Sequence, residues 1–293
     1  MMYRIASSRL TVLFCLLLLP FSALLAQQDD IKFESIPPEQ GLSNKSIPSI
    51  IEDKFGFLWF ATQDGLNKYN GYEFTVYQND PSDTTTISNN NIFCLLQDKD
   101  GFLWLGTENG GLNRFDPATE KSIRFLHDEN NPASLASNNV YSVIETKQGD
   151  LWIGTMEAGI DVMDKRTGKI LKHLHHEASN PQSLSEGAIW GLHEDAEGMI
   201  WVSTWGGGLD KVNPATGKIT HYRHDKNDPT SISSNIIGPV FEDSEGRMWI
   251  STWGGGLNKF DKKKGTFRSF TFQKDDPEAF GKNCRPCIPS LLS

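Results

Sequence analysis

The chain has 293 residues, 38% of them hydrophobic and 11% aromatic, which supports a sizeable core and excludes disorder over most of its length. Its 28 Lys and Arg stand against 37 Asp and Glu, a formal charge of −9, without a basic stripe or an aromatic motif spaced for bases. That balance excludes a protein built to neutralise a phosphate backbone, and four cysteines are too few for a disulfide scaffold, so stability must come from packing.

Residues 1–26 have the chemistry of an export signal. Arg4 and Arg9 precede an uncharged run of 16 residues from Leu10 to Leu25, and Ala26 is followed by the polar stretch 27–30, a short linker. Pro20 and the shortness of the run argue against a stable membrane span. Cys15 follows Val12, Leu13 and Phe14, where a lipid attachment box needs small residues. The chain is therefore expected to be exported.

Beyond the leader, five tryptophans recur at spacings of 45, 48, 49 and 48 residues: Trp59, Trp104, Trp152, Trp201 and Trp249. A period in that range marks a propeller or a solenoid. Each has a Gly three residues before it and a Thr three after it, and a further Gly six or seven residues on is followed at once by Leu or Ile. Each copy divides into four apolar runs of strand length. In the third, VYSVIET, LWIGT, IDVMDK and ILKHLHH are separated by turn residues, and no helical apolar period is sustained outside the leader.

Four antiparallel strands make one small sheet with two apolar faces, which is not stable alone. Stacking such sheets about an axis buries both faces. The predicted fold is an all-β propeller of four-stranded antiparallel blades, with five complete blades at about 45–78, 90–127, 138–177, 187–224 and 235–273. The repeated Trp is expected to fill the wedge between blades, and the Gly before it to supply a turn.

Residues 31–36 resemble the end of a blade and are read as a closing strand belonging to a blade not otherwise present. At the other end, residues 275–283 match an earlier inter-blade loop, and 284–293 read as the start of a truncated sixth blade. Cys284 and Cys287 have redox-motif spacing but fall in that strand slot, so no redox role is expected. Cys94 falls at a small-residue position and is expected to be buried filler.

The block seen as LLQDKDGFLWLGTENGGLNRFDPATE, repeated over about 240 residues, resembles the two-component regulator propeller family. The resemblance implies seven-bladed rings, here incomplete, in the periplasmic part of membrane-anchored sensors, often hybrid histidine kinases that detect oligosaccharides. It implies as partners an oligosaccharide or other small ligand and the remainder of the chain's own sensor protein, a homodimer being one arrangement. Membrane contact would come only through that remainder. A secreted propeller enzyme such as a polysaccharide lyase, or a protein-interaction scaffold, are the competing classes.

In a propeller, the loops between strands two and three share one face with the inter-blade loops, and positions that vary between copies are free to serve function. The variable pairs in the first set include Glu108 Asn109, Met156 Glu157, Trp205 Gly206 and Trp253 Gly254. At the start of strand one stand Pro48, Phe93, Tyr141, Trp190 and Gly238. Rings beside carboxylates suit a polyhydroxylated ligand, so the candidate binding residues are Trp205, Trp253, Trp190, Tyr141, Glu108 and Glu157. The competing reading packs Trp205 and Trp253 as further inter-blade filler and leaves the acids as ordinary surface carboxylates.

No catalytic residue, metal or cofactor is expected. His173 and His175 share one side of a strand without an evident third ligand, and read as a solvated strand. Asp98 to Gly101 resembles the start of a calcium loop without its later ligands, and reads as a tight turn.

Overall fold

The computed structural model of the protein describes residues 41–271. The expected signal segment at 1–26, the linker at 27–30, the closing strand at 31–36, Cys284 and Cys287, and the start of a further blade at 284–293 lie outside the described residues.

Each repeat forms one sheet. Blade one comprises β1 (Ser49–Glu52), β2 (Leu58–Thr62), β3 (Gly65–Tyr69) and β4 (Phe74–Tyr77). Blade two has β5 (Ile92–Gln97), β6 (Leu103–Thr107), β7 (Leu112–Asp116) and β8 (Lys121–Phe125). Blade three has β9 (Val140–Glu145), β10 (Asp150–Thr155), β11 (Ile160–Asp164) and β12 (Lys169–Leu174). Blade four has β13 (Ile189–Glu194), β14 (Ile200–Thr204), β15 (Leu209–Val212) and β16 (Ile219–Tyr222). Blade five has β17 (Ile237–Glu242), β18 (Met248–Thr252), β19 (Gly256–Asp261) and β20 (Thr266–Phe270). All pairings are antiparallel between consecutive strands, and the first strands of successive blades lie side by side, as at the hub of a propeller.

The core is a series of inter-blade wedges. Trp59 packs with Leu103, Leu105 and Phe115 of the next blade, Trp104 with Leu151, Ile153 and Met163, Trp152 with Ile200 and Val202, and Trp201 with Met248 and Ile250. Trp249, in the last described blade, is only half-buried. The repeated Trp is therefore a filler between modules, as its recurrence implies, and each blade depends on its neighbour for burial.

The turn before each of four of these tryptophans is organised by one aspartate. In blade two, Asp98 Oδ1 accepts the N–H of Asp100 and of Phe102, both at 3.0 Å, and Oδ2 accepts the Trp104 indole N–H at 2.8 Å. Gly101 takes the left-handed conformation (φ 95°) that closes the turn. Asp53, Asp195 and Asp243 hold Trp59, Trp201 and Trp249 in the same way at 2.8, 2.8 and 2.9 Å. Thus the stretch that resembles a calcium loop spends its carboxylate on its own backbone and on the tryptophan. In blade three the equivalent residue is Thr146, which bonds instead to the Asp150 carbonyl.

Cys94 is half-buried, against the Val140 cluster, and burial pushes its thiol up to about 12, leaving it protonated and unreactive.

Candidate functional site

Two features of the backbone bring the variable residues together at one end of the blades. The first is a register shift at the start of the first strand. In blade two, Ile92 pairs with Thr107 and Cys94 with Gly106, leaving Phe93 without a partner. The same bulge leaves Tyr141 unpaired between Val140 and Ser142, and Trp190 between Ile189 and Gly191. A bulge of this kind re-aims the extra side chain out of the sheet. Phe93, Tyr141 and Trp190 are thereby freed from the core that Ile92, Val140 and Ile189 enter.

The second feature ties each strand-two-to-three loop to the start of the next blade. Gly111 N–H donates to the Asn138 carbonyl at 2.8 Å, Gly159 N–H to Gly187 at 2.9 Å, and Gly208 N–H to Asn235 at 3.0 Å. Within each blade, the Trp205 N–H donates to the Ala188 carbonyl and the Trp253 N–H to Ile236, both at 3.0 Å. The threonine after each repeated Trp caps the loop by donating its hydroxyl to the carbonyl of the loop's last glycine, as Thr204 does to Gly208 at 2.6 Å.

The result is a continuous row of five rings. Phe93 stacks on Tyr141 with centroids 4.0 Å apart, Tyr141 lies 5.5 Å from Trp190, Trp190 5.0 Å from Trp205, and Trp205 5.6 Å from Trp253. Trp205 and Trp253 keep 37% and 38% of their surface in water, so neither is closed inside an inter-blade wedge as Trp201 is. Four of the six residues singled out from the sequence stand in this row.

The two acids flank it. Glu108 Oε2 accepts the Asn91 amide at 2.7 Å. Glu157 accepts the Ser137 hydroxyl and the Asn139 amide, both at 2.8 Å. Asn139 Oδ1 in turn accepts the N–H of Asn109 at 2.8 Å, which joins the two loops into one hydrogen-bonded chain. Burial, and then the charges of Glu108 and Glu157, push the Tyr141 phenol above its ordinary range. Phe93 and the holders Asn91, Ser137 and Asn139 were not among the candidates. The signal for the holders is the Ser and Asn cluster before the first strands, Asn89 to Asn91 and Ser137 to Asn139.

The histidines lie elsewhere, and one differs from expectation. His173 is not simply solvated: its Nδ1 lies 2.5 Å from Oδ1 of the buried Asp161, and its Nε2 lies 3.0 Å from the Pro132 carbonyl. His221 repeats the arrangement in blade four with Asp210 and Pro181. Asp161 and Asp210 also accept the N–H of Ala136 and Ser185, so these pairs pin inter-blade loops. The sequence shows the histidines, but their partners are set by the non-local pairing of β11 with β12 and β15 with β16.

The opposite end of the blades is laced by ion pairs. Lys165 reaches Asp100 and Glu145 at 2.8 Å and Asp98 at 3.6 Å, and Lys262 reaches Glu242 at 2.6 Å and Glu197 at 3.0 Å. The Lys165 contacts with Asp98 and Asp100 and the Lys262 contact with Glu197 bridge neighbouring blades.

The family model described as the two component regulator propeller matches residues 41–64, 86–109, 134–157, 183–206 and 231–254, each match running from an inter-blade loop through the second strand into the following loop. The chain is 45% identical over 76 residues to Histidine kinase P4 of Formosa agariphila, a match covering 25% of this chain and 6% of that protein. Among solved structures, the extracellular domain assigned to the hybrid two component system BT3049 of B. thetaiotaomicron aligns over 80% of this chain and 31% of its own, at 29% identity and a TM-score of 0.71. That assigned to BT4673 aligns over 84% and 34%, at 25% identity and a TM-score of 0.68. The chain thus spans a small part of the kinase and about a third of either structure. Five matched repeats, each folded as a blade, show that the chain belongs to the two-component regulator propeller family.

Proposed function

We propose that the chain is a ligand-sensing module of a two-component sensor in the periplasm, and that the ring row Phe93–Tyr141–Trp190–Trp205–Trp253 binds an oligosaccharide or related small ligand. The observation that carries this reading is the row itself. Five rings from four blades are aligned by bulges and loop stitches, and the two tryptophans at its end are held open to water. Aromatic faces take the C–H faces of sugars, and Glu108 and Glu157, fixed by their own hydrogen bonds, can accept from hydroxyls. The related extracellular domains belong to two-component systems, which supports a sensing role. The loops that carry the row cross from blade to blade, so a ligand lying along it would bias the angle between blades, and a sensor would pass that bias on to the rest of its protein, as a homodimer or otherwise.

The test is calorimetric titration of the full chain with a panel of neutral, amino and acidic oligosaccharides. Trp205→Ala and Trp253→Ala should each weaken the binding found by about tenfold, the on-the-order-of 1–2 kcal/mol value of a stacked ring. Both are surface residues, so unchanged melting would accompany the loss. Full affinity in both variants would remove the row as the site.

A further inference from the structure

Resting on the proposed binding row, the distribution of charge says what kind of ligand the row accepts. Away from it, this protein supplies its own cations to rings and acids. Lys68, Arg114, Lys211 and Lys259 stand 5.3, 6.0, 5.0 and 5.6 Å from the centroids of Trp59, Trp104, Trp201 and Trp249, each directly across the strand pair. Glu145 and Glu242 are likewise matched by Lys165 and Lys262.

At the row the pattern stops. Among the described residues, no Lys or Arg lies over Phe93, Tyr141, Trp190, Trp205 or Trp253, and neither Glu108 nor Glu157 forms an ion pair. The strand-two-to-three loops carry Asp64, Glu108 and Glu157 and no Lys or Arg, and Arg223, beside Gly208 in the Trp205 loop, lies at the other end of the row from Glu108 and Glu157. Glu108 and Glu157 are exposed on the loops of adjacent blades, which Asn139 joins two residues before Tyr141, and they are held by Asn91, Ser137 and Asn139 rather than left to swing apart. Ring faces carry negative potential, so rings and carboxylates add to a field that attracts cations and repels anions.

We propose that the row selects an amino-sugar oligosaccharide, with a protonated amine set against Tyr141 between Glu108 and Glu157 and the sugar faces running on over Trp190, Trp205 and Trp253. An uncharged sugar would use the rings but not the field, and a uronate or sulfated sugar would meet two fixed carboxylates that no cation neutralises.

The experiment titrates the full chain at mildly acidic pH with four probes: a glucosamine tetramer, its N-acetylated counterpart, a galacturonate tetramer and spermidine. The glucosamine tetramer is expected to bind at least about tenfold more tightly than the N-acetylated one, with the advantage shrinking as salt is raised. The galacturonate tetramer should not bind. The double variant Glu108→Gln, Glu157→Gln should bring the glucosamine affinity down to that of the N-acetylated tetramer, with the melting curve confirming that the blades are intact. Equal or tighter binding of the N-acetylated or acidic tetramer would overturn the charge assignment while leaving the row as a sugar site. Spermidine binding as tightly as the amino sugar would overturn the saccharide half. Binding of no oligosaccharide would overturn this inference and the proposed function together.

Discussion

Replacing Asp195 tests whether the aspartate–tryptophan strut holds the blades together. Its carboxylate is wholly buried, accepts the Met199 N–H at 2.9 Å through Oδ1 and the Trp201 indole N–H at 2.8 Å through Oδ2, and Trp201 is itself wholly buried against blade five. Burial pushes the carboxyl upward, but the bonds from Trp201 and Met199 and the charges of Lys211 and Lys262 outweigh it and hold it below the ordinary range, so both bonds are made to an ion. Asp195→Ala strands two buried donors at about 1–3 kcal/mol each, or about 4 kcal/mol in all. Asp195→Asn keeps the Met199 bond but turns an amide donor toward the indole, for about 2 kcal/mol. Thr146 stands at the same place in blade three, and Thr146→Asp should add about 1 kcal/mol by giving Trp152 the strut it lacks. Denaturant unfolding followed by tryptophan fluorescence reads the totals. Hydrogen exchange should localise the Asp195→Ala loss to blades four and five, because stability in a repeat array is a sum over neighbours. A loss under about 1 kcal/mol for Asp195→Ala would refute the strut.

Two further outcomes follow from backbone and charge. Gly159→Ala should cost about 3 kcal/mol or more, since Gly159 has φ 87° and an added methyl would run into the Leu174 carbonyl, whereas Gly71→Ala, at φ 94° but with open space around it, should cost only about 1 kcal/mol; equal melting losses would contradict this. For His173, burial favours the neutral ring, but the bonds to Asp161 and the Pro132 carbonyl prevail and raise its pKa, as expected where both ring nitrogens face acceptors. A raised folded value means that the stabilisation is complete below the unfolded value of about 6.5 and is lost as pH rises through the folded one. His173→Ala should therefore flatten the stability profile on that alkaline side, and an NMR titration of His173 with a midpoint below about 6.5 would contradict the assignment.

Most of the architecture was legible because it repeats. Strand-length runs, the glycine three residues before each tryptophan and the threonine three after it recur in register, and a residue kept in every copy is kept for the blade. The role of the tryptophans as wedges followed from the same logic. The candidate site could be proposed by subtraction, since its rings and acids vary between copies and stand in the strand-two-to-three loops or at the start of strand one. Two things were not. The bulges that turn Phe93, Tyr141 and Trp190 outward depend on pairing with the second strand, and no feature of the first strand alone announces a one-residue shift. The Asp161–His173 and Asp210–His221 pairs join residues brought together only by strand register, so His173 reads as part of a solvated strand until the sheets are formed.

The central claim is that the ring row is where the ligand lies. A crystal structure of the full chain with the tightest-binding oligosaccharide of the panel tests it most directly: sugar rings are expected flat against Trp205 and Trp253 with a polar group at Glu108 or Glu157. Sugar seated instead at the opposite end, among the turns that Lys165 and Lys262 bridge, with the row bare, would contradict it.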